Sequence, residues 1–139
     1  MVEFMGKKII ICLAVRLHSK RLPKKALLEV AGQSMIEHEI DRLKTTDLPV
    51  VLCTSTLEGD KPLIEIAEKK GIKWYAGHDL DVLGRFIGAA EREGAEIIVR
   101  TTGDRPLISP EHITKLVVHH IKEGAVYSHY TGSPMHQGL

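Results

Sequence analysis

The sequence has little cysteine and almost no net charge. Its 139 residues include only Cys12 and Cys53, and the formal net charge is +1. Both cysteines stand inside short apolar runs, which favours buried, unreactive thiols over a disulfide and is typical of a reducing compartment. The near-neutral balance does not favour binding to nucleic acid or to an anionic membrane. Any affinity for phosphate must therefore come from a local cluster of cations.

Long apolar segments and several well-known site motifs are also missing. The run IIICLAV (residues 9–15) is too short to span a bilayer, and no small-residue cleavage site follows it. We therefore expect a cytoplasmic protein. There is no GxxxxGK[ST] motif, no GxGxxG after the first apolar run and no GxSxG motif, and the histidines and cysteines lack the spacing of a zinc site. These absences argue against a P-loop enzyme, a dinucleotide-binding domain and an α/β-hydrolase.

Apolar runs alternate with segments of helical periodicity along the chain. The predicted strands are residues 9–14, 49–53, 72–75 and 97–99, with a fifth beginning at 125–127, and the predicted helices begin near Ser34, Pro62, Asp81 and Pro110. This alternation predicts an α/β fold of three layers, α/β/α, with a mainly parallel sheet. The length fits one domain, residues 1–139.

The loop after the first predicted strand is rich in cations. Residues 16–25 contain five of them (Arg16, Lys20, Arg21, Lys24 and Lys25) together with Ser19. Ligands of parallel sheets bind outside the carboxyl ends of the strands, where this loop lies. An anionic ligand would relieve the repulsion between the cations, and arginine suits bidentate contact with phosphate. From charge alone, a solvated surface loop is an equally good interpretation.

A carboxylate follows the fourth predicted strand. Asp104 comes directly after Gly103, at the same edge of the predicted sheet. A carboxylate in this place can bind Mg²⁺, which keeps several waters and bridges substrate phosphates. The alternative is that Asp104 caps a turn or pairs with Arg105. If both loops share one cleft, the cations and the metal would together serve phosphoryl or nucleotidyl transfer.

Four stretches of the chain resemble one protein family. The run IIICLAVRLHSKRLPKKALL (residues 9–28) is similar to the signature of the cytidylyltransferases that activate acidic sugars, the acylneuraminate and 3-deoxy-manno-octulosonate type. The stretches VVLCTSTLEGDKPLIEIAEKKGI, GHDLDVLGRF and VRTTGDRPLISPEHI resemble the spore coat polysaccharide biosynthesis branch in order and spacing. The resemblance covers residues 8–138. It implies a Rossmann-like nucleotide-diphospho-sugar transferase fold and Mg²⁺-dependent transfer of CMP from CTP to a sugar or sugar acid, with release of pyrophosphate.

The resemblance also implies roles for individual positions. Ala14 and Val15 match positions whose backbone contacts the base. Arg16 and Lys25 match the positions that hold the triphosphate, and Ser19 and Arg21 match the remaining fixed positions of that loop. Asp104 matches the metal-binding aspartate of the GDxP motif. Arg16, Lys25 and Asp104 are the predicted catalytic residues. Asp81 and Arg85 match the DVLxR stretch and are predicted substrate contacts, although Asp81 is as well explained as a helix N-cap.

The chain departs from the family pattern in two respects. His18 and Lys24 stand where the family usually has glycine, which permits positive φ and close approach of the backbone to phosphate. The resemblance also implies that family members continue beyond this length, with a second metal-binding aspartate and the sugar-acid and dimer contacts, so we expect the chain to be the N-terminal portion of the family domain. The expected binding partners are CTP and a sugar or sugar acid. A homodimer with a second copy of the chain is a further hypothesis. A non-catalytic nucleotide-binding or assembly module, or a transferase using another base for a neutral sugar, remain alternatives.

Overall fold

Seven strands and four helices form in the parts of the chain that the computed structural model describes, residues 3–18 and 24–129. The strands are β1 (Glu3–Phe4), β2 (Lys7–Ala14), β3 (Glu29–Val30), β4 (Gln33–Ser34), β5 (Val50–Ser55), β6 (Lys73–Gly77) and β7 (Ile97–Thr102). The helices are α1 (Met35–Lys44), α2 (Lys61–Lys69), α3 (Val82–Glu93) and α4 (Pro110–Glu123), and short 3₁₀ turns occupy Lys25–Leu27 and Glu58–Asp60.

Four parallel strands lie in the order β6, β5, β2, β7, and β1 pairs antiparallel with the first residues of β2. Residues 9–13 of β2 are fully buried, as expected for a central strand that is covered on both faces. The chain moves outward from β2 to β5 and β6, then returns to the other side of β2 at β7. Such a reversal opens a crevice at the carboxyl ends of the two strands on either side of it, here β2 and β7.

The helices cover both faces of this sheet. On one face, α1, α2 and α4 pack against alternate residues of β2, with Ile40, Leu63 and Ile113 buried there. On the other face, α3 buries Phe86 and Ala89 against Cys12 and its neighbours. The predicted three-layer arrangement with a mainly parallel sheet is confirmed.

Local capping signals place the helix ends where the sequence predicts them. The Ser34 side chain accepts a hydrogen bond from the Glu37 N–H at 3.3 Å, and the Glu37 carboxylate accepts from the Ser34 N–H at 2.8 Å, which completes the predicted capping box of α1. Gly94 and Gly124 end α3 and α4 in the left-handed conformation, with φ of 67° and 61°.

The predicted fifth strand at residues 125–127 is wrong. The Ala125 N–H donates to the His120 carbonyl at 3.2 Å and so closes the end of α4 instead of entering the sheet. Val126 is fully exposed beside a cavity of about 320 Å³ that lies between β7, α4 and residues 126–128. None of the predicted site residues that the structure describes lines this cavity.

Two short hairpins were not predicted from the sequence. Met5 and Gly6 connect β1 to β2, and Ala31 and Gly32 connect β3 to β4, with positive φ at all four residues. Positive φ at both central positions is the geometry of tight two-residue turns. The pairs Met-Gly and Ala-Gly lack the asparagine or aspartate that is common in such turns, so the sequence gave little indication of either hairpin.

Both cysteines are free and fully buried. A hydrogen bond with the Cys53 thiol, together with burial, raises the pKa of Cys12 and keeps it protonated. The prediction of buried thiols without a disulfide is confirmed. Within the described part of the chain, none of the helices has the length and apolarity needed to cross a membrane.

Candidate functional site

The two loops that the sequence singled out leave the sheet side by side. Ala14, the last residue of β2, lies in register with Thr102, the last residue of β7. The Gly103 N–H donates to the Ala14 carbonyl at 2.8 Å, and the Val15 N–H donates to the Cys53 carbonyl at 3.1 Å. The predicted cationic loop and the predicted metal-binding loop therefore begin at neighbouring points of one sheet edge. A nucleotide base that contacts Ala14 and Val15 would have to hydrogen-bond to those backbone groups of the two residues that these bonds do not already occupy.

The start of the second loop packs tightly against the first. A Cβ atom on Gly103 would lie 2.7 Å from the Cβ atom of Val15 and 3.2 Å from Cδ1 of Ile36. Carbon atoms do not approach that closely without displacement, so only glycine fits here. This close contact fixes where the chain turns immediately before Asp104.

The side chains of Arg16 and Lys25 are both exposed to solvent. Among the described residues, the Arg16 guanidinium pairs with Asp79 in the loop between β6 and α3, with Nη1 lying 3.6 Å from Oδ1. Lys25 begins the 3₁₀ turn that packs beside α1. Ser19 and Arg21, the other predicted phosphate ligands, lie outside the described residues.

Lys24 adopts the backbone conformation for which the family uses glycine. Its φ is 58° and its ψ is 26°, in the left-handed region. Its N–H donates to the Leu17 carbonyl at 2.9 Å, which brings the two ends of the cationic loop together. Lysine thus occupies, at a steric cost, a backbone conformation that glycine adopts freely.

Asp60 holds the start of the cationic loop by a hydrogen bond, and its role in the site was not predicted from the sequence. Its side chain is fully buried, and Oδ1 accepts a hydrogen bond from the Leu17 N–H at 2.8 Å while Oδ2 accepts from the Ser55 hydroxyl. Asp60 precedes α2 but makes no side-chain cap bond to it. Its carboxylate instead connects the end of β5 to the residue that follows Arg16.

Asp104 remains accessible in the second loop. Its side chain is 52% exposed, it accepts a hydrogen bond from the Thr102 hydroxyl at 2.7 Å, and Nε of Arg105 lies 3.7 Å from Oδ1. The predicted alternative, pairing with Arg105, is thus present, but it leaves the carboxylate open to solvent. A single carboxylate suffices for Mg²⁺, which is usually held by one or two carboxylates together with substrate phosphates and waters. The described residues contain no cluster of three or more metal-binding side chains.

Glu39 lies directly behind this loop. It is fully buried on α1, where Oε2 accepts a hydrogen bond from the Arg105 N–H at 3.1 Å and Oε1 accepts from the Thr101 hydroxyl at 3.4 Å. Burial raises the pKa of Glu39 to about 8; the Arg105 N–H acts in the opposite direction, and the charge of Asp104 adds to the increase.

Asp81 and Arg85 lie at the adjoining end of β6. The Asp81 carboxylate accepts a hydrogen bond from the Gly84 N–H at 2.8 Å, so it caps α3. Arg85 is 3% exposed, and a Cβ atom on Gly77 would lie 2.8 Å from its Cγ. Among the described residues, its Nε and Nη1 have no hydrogen-bond partner. Buried donors without partners are rare, so these two nitrogens are candidates for contact with a ligand.

Comparison with known sequences decides the family. The sequence model that describes cytidylyltransferases matches residues 9–138. The chain belongs to the cytidylyltransferase family. Its relatives include the spore coat polysaccharide biosynthesis protein SpsF of Bacillus subtilis, which is 26% identical over 133 residues and matches 91% of this chain and 55% of its own length. A 3-deoxy-manno-octulosonate cytidylyltransferase of Chloroherpeton thalassium is 30% identical over 123 residues, covering 86% of this chain and 48% of that protein.

Solved structures of cytidylyltransferases share the fold. A cytidylyltransferase from Leptospira borgpetersenii superposes with a TM-score of 0.81 and 31% identity, covering 84% of this chain and 50% of the other. The predicted nucleotidyltransferase fold is thereby confirmed. The chain spans about half the length of the relatives that it matches.

Two site residues of this cytidylyltransferase-family chain, Asp60 and Glu39, were not predicted from the sequence, and their side chains make similar hydrogen bonds. Asp60 and Glu39 are both fully buried, and each accepts a backbone N–H from one site loop and a hydroxyl from the end of a strand. The signal available for Glu39 was a carboxylate within the apolar stripe of α1, between Ile36 and Ile40. A buried carboxylate needs hydrogen-bond partners, and here both find them in the backbone of the candidate site.

Proposed function

We propose that this chain forms the nucleotide-binding part of an enzyme that transfers CMP from CTP to a sugar or sugar acid in surface polysaccharide biosynthesis. The observation that carries the proposal is the Gly103–Ala14 hydrogen bond of 2.8 Å, because it brings the loop with Asp104 beside the loop with Arg16. Membership of the cytidylyltransferase family supports the reaction class. Relatives named for spore coat polysaccharide biosynthesis and for 3-deoxy-manno-octulosonate support an acidic or related sugar as the acceptor.

The cationic loop would bind the triphosphate. Arg16 and Lys25 would supply positive charge in the loop that follows β2, and Ser19 and Arg21 belong to the same loop. Asp79 already lies 3.6 Å from Arg16, so a phosphate oxygen would compete with this carboxylate for the guanidinium. Because Arg16 is about half exposed, the existing pair contributes little and can be exchanged at small cost.

Asp104 would hold Mg²⁺ through its exposed carboxylate. When bound there, the ion supplies positive charge that offsets the charge of the triphosphate. The Thr102 hydroxyl, 2.7 Å from Oδ1 of Asp104, would orient the carboxylate. Gly103 allows the chain to turn closely past Val15 and thereby keeps Asp104 at the crevice between β2 and β7.

In the reaction, an oxygen of the sugar hydroxyl forms a bond to the α-phosphorus of CTP. The bond between that phosphorus and the oxygen bridging to the β-phosphate breaks, pyrophosphate leaves, and the hydroxyl proton passes to solvent. Arg16 and Lys25 would stabilise the negative charge that develops on the phosphates, which is the main task of a protein in such transfers. Arg85 would donate its unpartnered Nε and Nη1 to the substrate, with Asp81 fixing the start of α3 beneath it.

A second function, a nucleotide-binding module without catalysis, is favoured by one observation. The described residues contain no cluster of three or more side chains that could bind a metal ion, so Asp104 does not belong to a multi-residue metal centre in this part of the chain. The two functions differ in turnover. Titration calorimetry with CTP and Mg²⁺, with UTP, GTP and ATP as controls, measures binding and base preference, and a pyrophosphate-release assay with acidic sugars measures transfer. Transfer selective for CTP supports the enzyme, CTP binding without transfer supports the module, and no binding of CTP would contradict both.

A further inference from the structure

Glu39 makes contact with the peptide group that follows Asp104. The N–H that donates to its Oε2 at 3.1 Å belongs to Arg105, and this N–H is part of the same peptide unit as the Asp104 carbonyl. Its other oxygen, Oε1, accepts from the Thr101 hydroxyl at 3.4 Å, on the strand that leads into the loop. One buried carboxylate therefore contacts the chain on both sides of Asp104.

The same helix contacts the loop a second time. Arg42, three residues further along α1, donates from Nε to the Ile108 carbonyl at 2.7 Å. The loop closes on itself between these two points, because the Ile108 N–H donates to the Arg105 carbonyl at 3.0 Å. The helix thus contacts residues 105–108 at both ends, and Glu39 provides the contact nearer to Asp104.

A carboxylate at this position is not explained by packing. Glu39 lies between Ile36 and Ile40 in the buried stripe of α1, where an aliphatic side chain would fill the space without the cost of desolvating an ionisable group. What an aliphatic side chain could not do is accept the Arg105 N–H. We propose that Glu39 is a positioning residue that orients Asp104 for metal binding, an inference that rests on the proposed function.

The test compares three substitutions at position 39 in the 139-residue chain. Glu39→Leu has similar size but no acceptor, Glu39→Asp withdraws the carboxylate by one methylene, and Glu39→Gln keeps an amide oxygen for the Arg105 N–H. Asp41→Asn is the matched control, because Asp41 lies on the same helix but pairs with Lys70 and not with the loop. Mn²⁺ replaces Mg²⁺ as the probe, and its binding in the presence of CTP is measured by electron paramagnetic resonance.

We expect Mn²⁺ to bind roughly tenfold more weakly to Glu39→Leu and Glu39→Asp than to the unmodified chain, as for other losses of a group that orients a metal ligand. Glu39→Gln and Asp41→Asn should retain the affinity. Amide hydrogen exchange, followed by NMR, should show faster exchange of the Arg105 N–H in the two weakened variants. The Asp variant keeps the test decisive if the Leu variant does not fold.

Two different results would contradict these ideas in different ways. Equal Mn²⁺ affinity in all folded variants, with unchanged exchange at Arg105, would overturn the role of Glu39 and leave the proposed function standing. No uptake of Mn²⁺ with CTP by the unmodified chain would overturn the metal site itself, and the inference with it.

Discussion

Gly103 packs so closely against Val15 that a Cβ atom at position 103 would lie 2.7 Å from the Val15 Cβ atom. We expect Gly103→Ala to lower the free energy of unfolding by about 2 kcal/mol, because the added methyl group forces the two site loops apart. Urea denaturation measures the change. Gly59→Ala is the control, since the nearest atom to a Cβ there is Cε1 of His18 at an ordinary 3.6 Å. Equal stability of the two variants would contradict the tight contact.

Asp60 offers a test of the cationic loop that leaves its cations in place. Asp60→Ala removes the acceptor for the Leu17 N–H and for the Ser55 hydroxyl, two donors that the fold buries. Leaving such donors unpaired should cost roughly 2–3 kcal/mol of stability. It should also weaken CTP binding severalfold, because Leu17 follows Arg16 directly.

Asp60→Asn is the control for this substitution. Its amide oxygen can still accept the Leu17 N–H, so the loss of stability and of CTP affinity should be smaller than in Asp60→Ala. Denaturation and calorimetry give the two quantities for each variant. If CTP affinity stayed the same in a folded Asp60→Ala chain, Asp60 would have no part in shaping the site.

Lys25→Ala tests the assignment of the triphosphate to this loop. The side chain is exposed at the start of the 3₁₀ turn, so its removal should leave the fold intact. CTP should bind severalfold more weakly, and the affinity should depend less on salt, because one charge-assisted contact is lost. Lys115→Ala, also exposed but on α4, is the matched control. Unchanged CTP affinity in Lys25→Ala would remove the loop from the site.

The sequence predicted those features that depend on repeating patterns. The continuous apolar run of β2 and the capping box at Ser34 and Glu37 each have one dominant local solution, and both formed as expected. The placement of Arg16 and Asp104 at one sheet edge followed from the parallel alternation of strands and helices. These inferences needed no knowledge of which side chains meet in three dimensions.

What the sequence could not reveal were contacts between distant residues. Glu39 and Arg105 are 66 positions apart, and Leu17 and Asp60 are 43 apart. An aspartate before a helix is ordinary, so nothing local marked Asp60 as buried. The position of Glu39 within the apolar stripe of α1 indicated burial but not the backbone group that it contacts. The wrong fifth strand has a different, local origin, because residues 125–127 are apolar enough for a strand but the Ala125 N–H bonds to the His120 carbonyl at the end of α4.

The left-handed backbone conformation of Lys24 leads to a prediction about stability alone. Its φ of 58° lies in the left-handed region, which costs a lysine roughly 1 kcal/mol and glycine very little. Lys24→Gly should therefore stabilise the chain by up to about 1 kcal/mol in urea denaturation. Lys25→Gly is the control, because residue 25 is part of the 3₁₀ turn and glycine should destabilise it. A loss of stability in Lys24→Gly would mean that the lysine side chain contributes more than the strain costs.

Glu37 should make stability depend on pH in acid. The Lys69 ammonium, 2.8 Å from Oε1, and the hydrogen bonds from Ser34 lower the pKa of Glu37 from its usual 4.5 to about 2. Because the pKa is lower in the folded chain than in the unfolded one, this stabilisation is complete above about pH 4.5 and is lost as the pH falls through about 2.

Glu37→Gln keeps a capping oxygen but no charge, so it should be less stable than the unmodified chain at pH 7, with the difference vanishing near pH 2. Urea denaturation at several pH values checks this, with Glu111→Gln, an exposed residue in the first turn of α4, as the control. A difference between Glu37→Gln and the unmodified chain that did not change with pH would show that the capping geometry, and not the charge of Glu37, supplies the stability.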